Sequence, residues 1–428
     1  MRTAIGLGRI AGGLSKYLGR GDGLVIGGRV IMVACPEAFR MLADGRHVVF
    51  VSATNGKTTT TKLLAAALCA AKPVVTNASG ANMPAGIVAA LARPPGGVPA
   101  GALAVIEADE TFLPSLLAGT DRPLLVLGNL TRDQLDRVGE VAMVARRWRT
   151  VFAATKGLSA VANADDPHIV WAASVIPDVT WVSVGQRWTA DSAVCPACGS
   201  ILRRVAADGV GNPDWSCTCG FRRPAVSWSI EPGLQGGGVL VGPDGARYAL
   251  DLQLPGAANQ ANAAMAVVAA NLLGVAPSVS LPALRTVASV GGRYQTVSLG
   301  GRQVRLLLGK NPAGWSEMFA MLAPAPAPVV IAINARAADG KDPSWLWDVP
   351  FERLADREVI ATGDRRHDLA VRLMYAEVSH TTVADPWVSG GGLPFEAGLP
   401  GQPALDAVGT YTAFRELLRR GGGADDGS

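Results

Sequence analysis

A chain of 428 residues, 49% hydrophobic and 17% charged, is long enough for two or three domains with ordinary buried cores. Its net charge is only +4 and its basic residues are spread along the sequence, which argues for a solvated surface over a nucleic-acid patch. The longest uncharged stretch, Leu252 to Leu284, holds Asn259, Gln260, Asn262, Asn271 and three prolines, which excludes a bilayer span there.

The first residues, MRTAIGLGRIAGGLSKYLGRGDG, have neither a long apolar core nor a small-residue cleavage site, so a cytoplasmic protein is expected. Ile10, Leu14 and Leu18 fall on one helix face, with Arg9, Lys16 and Arg20 elsewhere. That spacing predicts a short helix packed by its apolar face, with contact to an anionic membrane surface as the alternative. Cys35 and Cys69 stand alone in apolar surroundings and read as buried thiols.

From about Arg46, strand-like runs alternate with helical stretches. VVFVSA (Val48 to Ala53), ALAVIEA (Ala102 to Ala108), LLVLGN (Leu124 to Asn129) and LSAVANADD (Leu158 to Asp166) predict a parallel sheet covered on both faces. The rhythm breaks between Thr189 and Arg223. GLQGGGVLVGPDGARYALDLQL then predicts antiparallel hairpins, followed by a helix from about Ala258 to Leu273. A second α/β unit starts near Val297, with VRLLLG, a helix around Gly314 to Leu322, PVVIAIN (Pro328 to Asn334) and REVIATG (Arg357 to Gly363). The ending RRGGGADDGS has the composition of a disordered tail.

SATNGKTTTT (Ser52 to Thr61) follows a strand and opens a helix, the setting of a phosphate-binding loop. Gly56 lets the backbone approach an anion, and the N–H groups from Thr54, Asn55 and Gly56 into Thr58 and Thr59 would face it. Lys57 would reach the β and γ phosphates, and the Thr58 hydroxyl would serve Mg²⁺. The early glycine of the general pattern is missing, with Val51 in its place; an ordinary helix cap is the alternative. Glu107, at the next strand end, is the best Mg²⁺ ligand, whereas Asp109 and Glu110 read as solvated and Asp133 and Asp136 as further candidates.

Cys195 and Cys198 (CPAC) and Cys217 and Cys219 (CTC) bracket about twenty residues, with Gly199 and Gly220 after each pair. In a cytosolic protein this reads as a closed, structural zinc site of the ribbon type, against two disulfides or a redox pair.

TNGKTTT, the strand-end Glu107, NLTRDQLDR (Asn129 to Arg137), NADDP (Asn163 to Pro167) and LPGAANQANAAMA (Leu254 to Ala266) come in the order found in the Mur ligases and folylpolyglutamate synthases. The chain resembles that superfamily over about residues 46 to 296. RDQLDR, the cysteine cluster, LLLGKNPAGW (Leu306 to Trp315) and NARAADGKDPSWLWD (Asn334 to Asp348) are similar to one branch, the MurT family.

The resemblance implies an α/β fold: a Mur-ligase-type P-loop ATPase domain, a parallel sheet with helices on both faces, carrying a four-cysteine zinc-ribbon insertion. A smaller C-terminal Rossmann-like α/β domain follows. The expected domains are an N-terminal segment 1–45 packed on the ATPase domain, the ATPase domain 46–296 with its insertion at about 190–224, the C-terminal domain 297–420 and a tail 421–428. The implied activity is that of the synthetase subunit of lipid II isoglutaminyl synthase. It activates the α-carboxylate of D-glutamate in the lipid II stem peptide as an acyl phosphate, for amidation to D-isoglutamine. A stand-alone ligase joining an amino acid to a carboxylate is the alternative.

ATP, Mg²⁺ and structural Zn²⁺ are the implied cofactors, and a GatD-like glutaminase subunit and lipid II at the inner face of the plasma membrane the implied partners, with no nucleic acid. The resemblance adds Asn259 and Arg293 to the ATP site, and Asn129, Arg132, Asp133, Gln134, Lys310 and Asn334 to an active-site cluster. Gln134 stands where peptide-extending Mur ligases carry histidine, and the following VAMVARRWRTVF has no lysine, which departs from their second metal site. Arg132 or Arg137 would clamp an anionic substrate group, or pair structurally with Asp133 or Asp136. By resemblance Asp348 joins Glu107 as catalytic, acting beside the partner's cysteine–histidine pair; by residue type alone it is a helix N-cap or surface acid. Trp345 and Trp347 read as interface anchors or core.

Overall fold

The computed structural model describes residues 1–18, 23–77, 81–92, 102–132, 141–205, 214–233, 237–288, 294–388 and 405–423. Chain contacts divide the protein into two units, one of Met1–Thr131 with Glu140–Ala288, the other of Arg132–Gly139 with Ser289–Gly427.

In the first unit three helices, α1 (Arg2–Tyr17), α2 (Leu24–Ala34) and α3 (Ala38–Ala43), precede the sheet. Strands and helices then alternate: β1 (Val48–Ser52), α4 (Lys57–Cys69), β2 (Val74–Thr76), α5 (Pro84–Ala92), β3 (Leu103–Glu107), α6 (Leu113–Leu117), β4 (Leu124–Leu127) and α7 (Val141–Ala154). β5 (Ser159–Asn163), α8 (Pro167–Ala173) and β6 (Asp178–Ser183) complete the parallel part. β1, β3 and β4 are buried at every position because helices cover both faces, which is why they read as unbroken apolar runs. β1 lies between β3 and β4, with β2 beyond β3 and β5 and β6 beyond β4. The strand order reverses at β1, and such reversals place a crevice at the carboxyl ends of the strands. The fourth strand stops at Asn163, short of the predicted Asp166. Asp166 instead caps α8, accepting from the N–H groups of His168 and Ile169.

β7 (Arg203–Val205) and β8 (Asp214–Ser216) form a separate antiparallel ribbon that carries the cysteines. The chain then returns: β9 (Trp228–Pro232) joins β6 in parallel, and β10 (Gly238–Val241) and β11 (Arg247–Leu250) add antiparallel strands. The hairpins expected after Arg223 therefore extend the main sheet to nine strands. α9 (Ala257–Leu272) packs on α4 through an alanine-rich buried face, and α10 (Pro277–Leu284) follows.

The second unit holds β12 (Tyr294–Leu299), β13 (Arg302–Leu308), α11 (Pro312–Met321), β14 (Val329–Ala332), β15 (Val359–Thr362), α12 (Arg366–Tyr375), β16 (His380–Thr382), β17 (Leu405–Gly409) and α13 (Tyr411–Arg420). Its sheet runs β12-β13-β17-β14-β15-β16, parallel except for β12, as a Rossmann-like domain requires. Trp315, Phe319 and Phe351 fill one face, and Phe414 and Leu418 the other.

The N-terminal helix forms as predicted, but with its faces inverted. Ile10, Leu14 and Leu18 are exposed, and the buried residues are Ala4, Gly8 and Ser15, because α1 meets α2 backbone to backbone. The lone cysteines also differ from expectation: Cys69 ends α4 on its exposed side, and Cys35 is only partly buried. The expected tail lies, from residue 424 on, outside the described residues.

Candidate active site

The segment expected to bind phosphate follows the end of β1. Gly56 caps α4 with φ +88°, and a Cβ there would fall 2.4 Å from the Asn262 Oδ1. Only glycine serves that close approach in a left-handed conformation. Among the described residues no side chain caps α4, which leaves its first turn suited to an anion. Thr54 and Asn55 are held by the strand next door. The Thr54 N–H donates to the Asn129 carbonyl (2.8 Å), and the Asn55 N–H to Asn129 Oδ1 (3.0 Å). Asn129 returns a bond to the Asn55 carbonyl (2.9 Å), and Thr131 bonds both loop side chains. Asn129, predicted in the substrate cluster, thus fixes the shape of the loop, as does Thr131, which sequence reasoning missed.

Lys57 is buried and donates to the Ala53 and Thr54 carbonyls and to Glu110 Oε2, the last at 2.8 Å. Glu110 is buried, not solvated as predicted. Burial alone pulls the Lys57 ammonium below its ordinary pKa, but the carboxylates of Glu110, Glu107 and Asp109 outweigh it and hold it above. Burial is also the main force raising the Glu110 carboxyl, against the pull of Lys57. The Thr59 side chain is buried, which leaves its backbone as the part able to serve the loop.

Glu107 closes β3, its backbone clamped by both amide atoms of Asn77 (2.8 and 2.9 Å). Its Oε1 accepts from the Thr58 hydroxyl (3.1 Å) and from Asn82 (3.3 Å). Its Oε2 is buried without a hydrogen-bond partner among the described residues. An unpaired carboxylate oxygen inside a protein calls for a cation, and a carboxylate beside a hydroxyl is the oxygen donor set that suits Mg²⁺.

Among the described residues Asn259 reaches the loop through a neighbour. It donates to the Pro255 carbonyl (2.7 Å) and accepts from Asn262 (3.5 Å), whose Oδ1 accepts from Thr60 (3.2 Å). The missed signal is the pair of asparagines three apart at the start of an alanine-rich helix. Asp133 and Gln134 of the cluster, Asp136, Arg137 and the ATP-site candidate Arg293 lie outside the described residues.

In the second unit, Asn334 follows β14 and ties together three strand ends. It donates to Thr412 (3.2 Å), accepts from the Asp364 N–H (2.9 Å), and its own N–H meets the Thr410 hydroxyl (2.9 Å). Lys310, after β13, is exposed with its Nζ 5.6 Å from the Tyr411 ring centre. Asp348 is the last residue of a 3-10 turn, Ser344–Asp348, so it is no N-cap; it is partly exposed and meets Arg132 at 3.1 Å. That exposed pair adds little stability. Trp345 packs in the core against Trp315, whereas Trp347 is 55% exposed and meets Tyr375 edge-on.

The four predicted cysteines converge. Their sulfurs all lie within 4.8 Å of one another, with Cys195–Cys219 at 3.8 Å and Cys198–Cys217 at 3.5 Å. These distances exceed a disulfide bond and match the ~3.8 Å edge of a tetrahedron with ~2.3 Å metal–sulfur bonds. Gly199 and Gly220, at φ +78° and +89°, turn the two knuckles. Burial pushes Cys195 up to about 12, while hydrogen bonds from Ser200, then the neighbouring thiols, bring Cys198 down to about 6. The ribbon is anchored to the sheet by the Trp215 bond to the Ala164 carbonyl (3.2 Å) and by Arg223, which pairs with buried Asp165 at 2.8 Å.

Two protein families match this chain: the Mur ligase middle domain over residues 51–194, and the MurT ligase C-terminal over residues 308–413. The lipid II isoglutaminyl synthase (glutamine-hydrolyzing) subunit MurT of Staphylococcus aureus (strain N315) is 31% identical over 394 residues, covering 88% of each chain. The chain belongs to the MurT family. The MurT subunit of the same enzyme from Streptococcus pneumoniae (strain ATCC BAA-255 / R6) is 29% identical over 87% of each chain. Among solved structures, the MurF ligase of Thermotoga maritima in complex with ADP matches with a TM-score of 0.59 at 14% identity, over 90% of this chain and 82% of that one. That likeness shows the Mur-ligase fold. MurT membership accounts for the pairing, in one chain, of a Mur-type phosphate loop with this C-terminal unit.

Proposed function

We propose that this chain is the synthetase subunit of a lipid II isoglutaminyl synthase. The observation that carries the reading is the match to MurT subunits across nearly the full length of both chains. ATP is the substrate that the loop from Thr54 to Thr59 would receive. Lys57 and the α4 N–H groups would neutralise phosphate charge, Thr58 and Glu107 would hold Mg²⁺, and Asn129, Thr131 and Asn262 keep the loop in shape. The metal, when bound, supplies charge neutralisation at the phosphates. The α-carboxylate of the stem-peptide D-glutamate attacks the γ-phosphorus and ADP leaves; ammonia then attacks the acyl carbon, a proton is lost and phosphate departs. No protein nucleophile is needed, which fits the make-up of NLTRDQLDR (Asn129 to Arg137), a sequence without serine, cysteine or histidine. The four cysteines would hold structural Zn²⁺, and the domains would run 1–45, 46–296 with the insertion at about 190–224, 297–420 and 421–428.

Glu107→Gln keeps the shape and its contacts but removes the charge. The Mg²⁺ concentration for half-maximal turnover is expected to rise by about tenfold or more, with folding unchanged. An unaltered Mg²⁺ dependence would count against Glu107 as the ligand.

The MurT relatives are subunits, which supports a partner, and the reading makes it a GatD-like glutaminase working at the inner face of the plasma membrane. Asp348 would then complete the partner's glutaminase site. In the complex, Asp348→Asn is expected to lower glutamine-dependent amidation by roughly a hundredfold or more while sparing amidation driven by added ammonium. Equal loss in both assays would remove Asp348 from glutamine hydrolysis. Absence of lipid II amidation by the wild-type complex would sink the functional reading itself.

A further inference from the structure

The N-terminal helices meet through small residues, with Ile31 buried beside them, and expose many of their large ones. A Cβ on Gly8 would fall 2.4 Å from Ile31 Cγ1 and 2.7 Å from the Gly27 carbonyl oxygen, and one on Gly12 2.9 Å from the Gly23 oxygen. On α2, a Cβ at Gly28 would lie 1.7 Å from the Ala85 oxygen of α5. Backbone therefore packs on backbone, and the pair is fixed to the sheet layer through glycine. Outward, α1 presents Leu7, Ile10 (70% exposed), Leu14, Tyr17 (86%) and Leu18, and α2 presents Val25, Ile26 and Val33 (85%). In water the large apolar side chains belong inside. Small residues between helices and large ones outside is the arrangement of helices that face lipid.

The charges agree. The charged side chains on the described residues of α1 and α2 are Arg2, Arg9, Lys16 and Arg29, with no acid among them. Arg9 and Lys16 line one cleft of about 230 Å³ between α1, α2 and α5. Neither helix can span a bilayer: no described helix is long and apolar enough. An amphipathic helix with an apolar face, flanking cations and an aromatic ring at its end lies in the plane of an anionic interface.

We infer that the outer face of α1 and α2 docks on an anionic lipid bilayer, holding the protein at the surface that carries its substrate. The inference rests on the reading of a lipid-linked substrate, but vesicle binding is read without ATP or lipid II, so the two fail separately. In flotation assays the full chain is expected to bind phosphatidylglycerol-containing vesicles, to ignore pure phosphatidylcholine vesicles and to release at about 0.5 M salt. Ile10→Glu with Leu14→Glu should weaken vesicle binding by roughly a hundredfold without changing amidation of detergent-solubilised lipid II. Circular dichroism checks that the variant is folded, and Arg2→Gln with Lys16→Gln should weaken binding to anionic vesicles while leaving the apolar face intact. No vesicle binding by the wild type, or equal binding by the glutamate variant, overturns the inference. Self-association or partner binding that the glutamate variant abolishes, with vesicles ignored, would assign the face to protein and overturn it as well.

Discussion

Lys57→Met is expected to lower ATP-dependent turnover by about a thousandfold, because it removes a buried ammonium at the proposed phosphate loop. The same change strands Glu110. Its carboxylate is already raised by burial in the presence of Lys57, and without that partner it would take up a proton or stay charged at high cost. Breaking a buried pair by removing one member costs about 3 kcal/mol or more. The single variant should therefore be less stable as well as inactive. The sign of its pH dependence follows: a carboxyl with a raised folded-state pKa keeps its proton in the fold where the unfolded chain releases it, so stability should rise as pH falls. Glu110→Gln added to Lys57→Met removes the stranded charge and should recover much of the stability but none of the turnover. Urea unfolding and amidation rates on both variants separate the effects. Recovered turnover in the double variant would make Lys57 a structural residue only.

The second large effect is expected at the cysteine ribbon. Cys217 is buried in a small cluster with Cys195, Leu202, Trp215 and Val170, too few side chains to hold a ribbon without a cross-link. Freshly purified protein should carry one zinc per chain by elemental analysis, and Cys217→Ser should carry none. Because burial holds Cys195 up to about 12, the metal-free cluster keeps that thiol protonated at neutral pH, and metal binding should release the proton. Chelation should destabilise the ribbon by on the order of 5 kcal/mol, read as a change in Trp215 emission. Metal-free protein of unchanged stability would refute the zinc reading. So would a sulfur–sulfur bond in the purified chain.

Sequence patterns carried most of the fold. VVFVS, LAVIE and LLVL were legible as central strands because burial on both faces forces every position to be apolar. The loop from Thr54 to Thr59 was legible because its strand–loop–helix setting is local. The inverted face of α1 was not, since apolar periodicity identifies a stripe but not the side that meets a partner, and the contact is made by glycines that periodicity ignores. Glu110 was misread for a related reason: burial of an acid depends on a partner far along the chain, here Lys57, 53 residues away. Asn262 and Thr131 act across elements: Asn262 is marked only by its spacing from Asn259, and Thr131 only by being polar after an apolar run.

This chain is expected to perform the carboxylate activation without a partner. Mass spectrometry of lipid II incubated with the purified chain, ATP, Mg²⁺ and excess ammonium tests it most directly. Conversion of one stem-peptide carboxylate to a carboxamide, dependent on ATP, is the predicted result. Unchanged lipid II, both here and with the glutaminase subunit and glutamine supplied to folded protein, would contradict the account, as would addition of an amino acid in place of the amide.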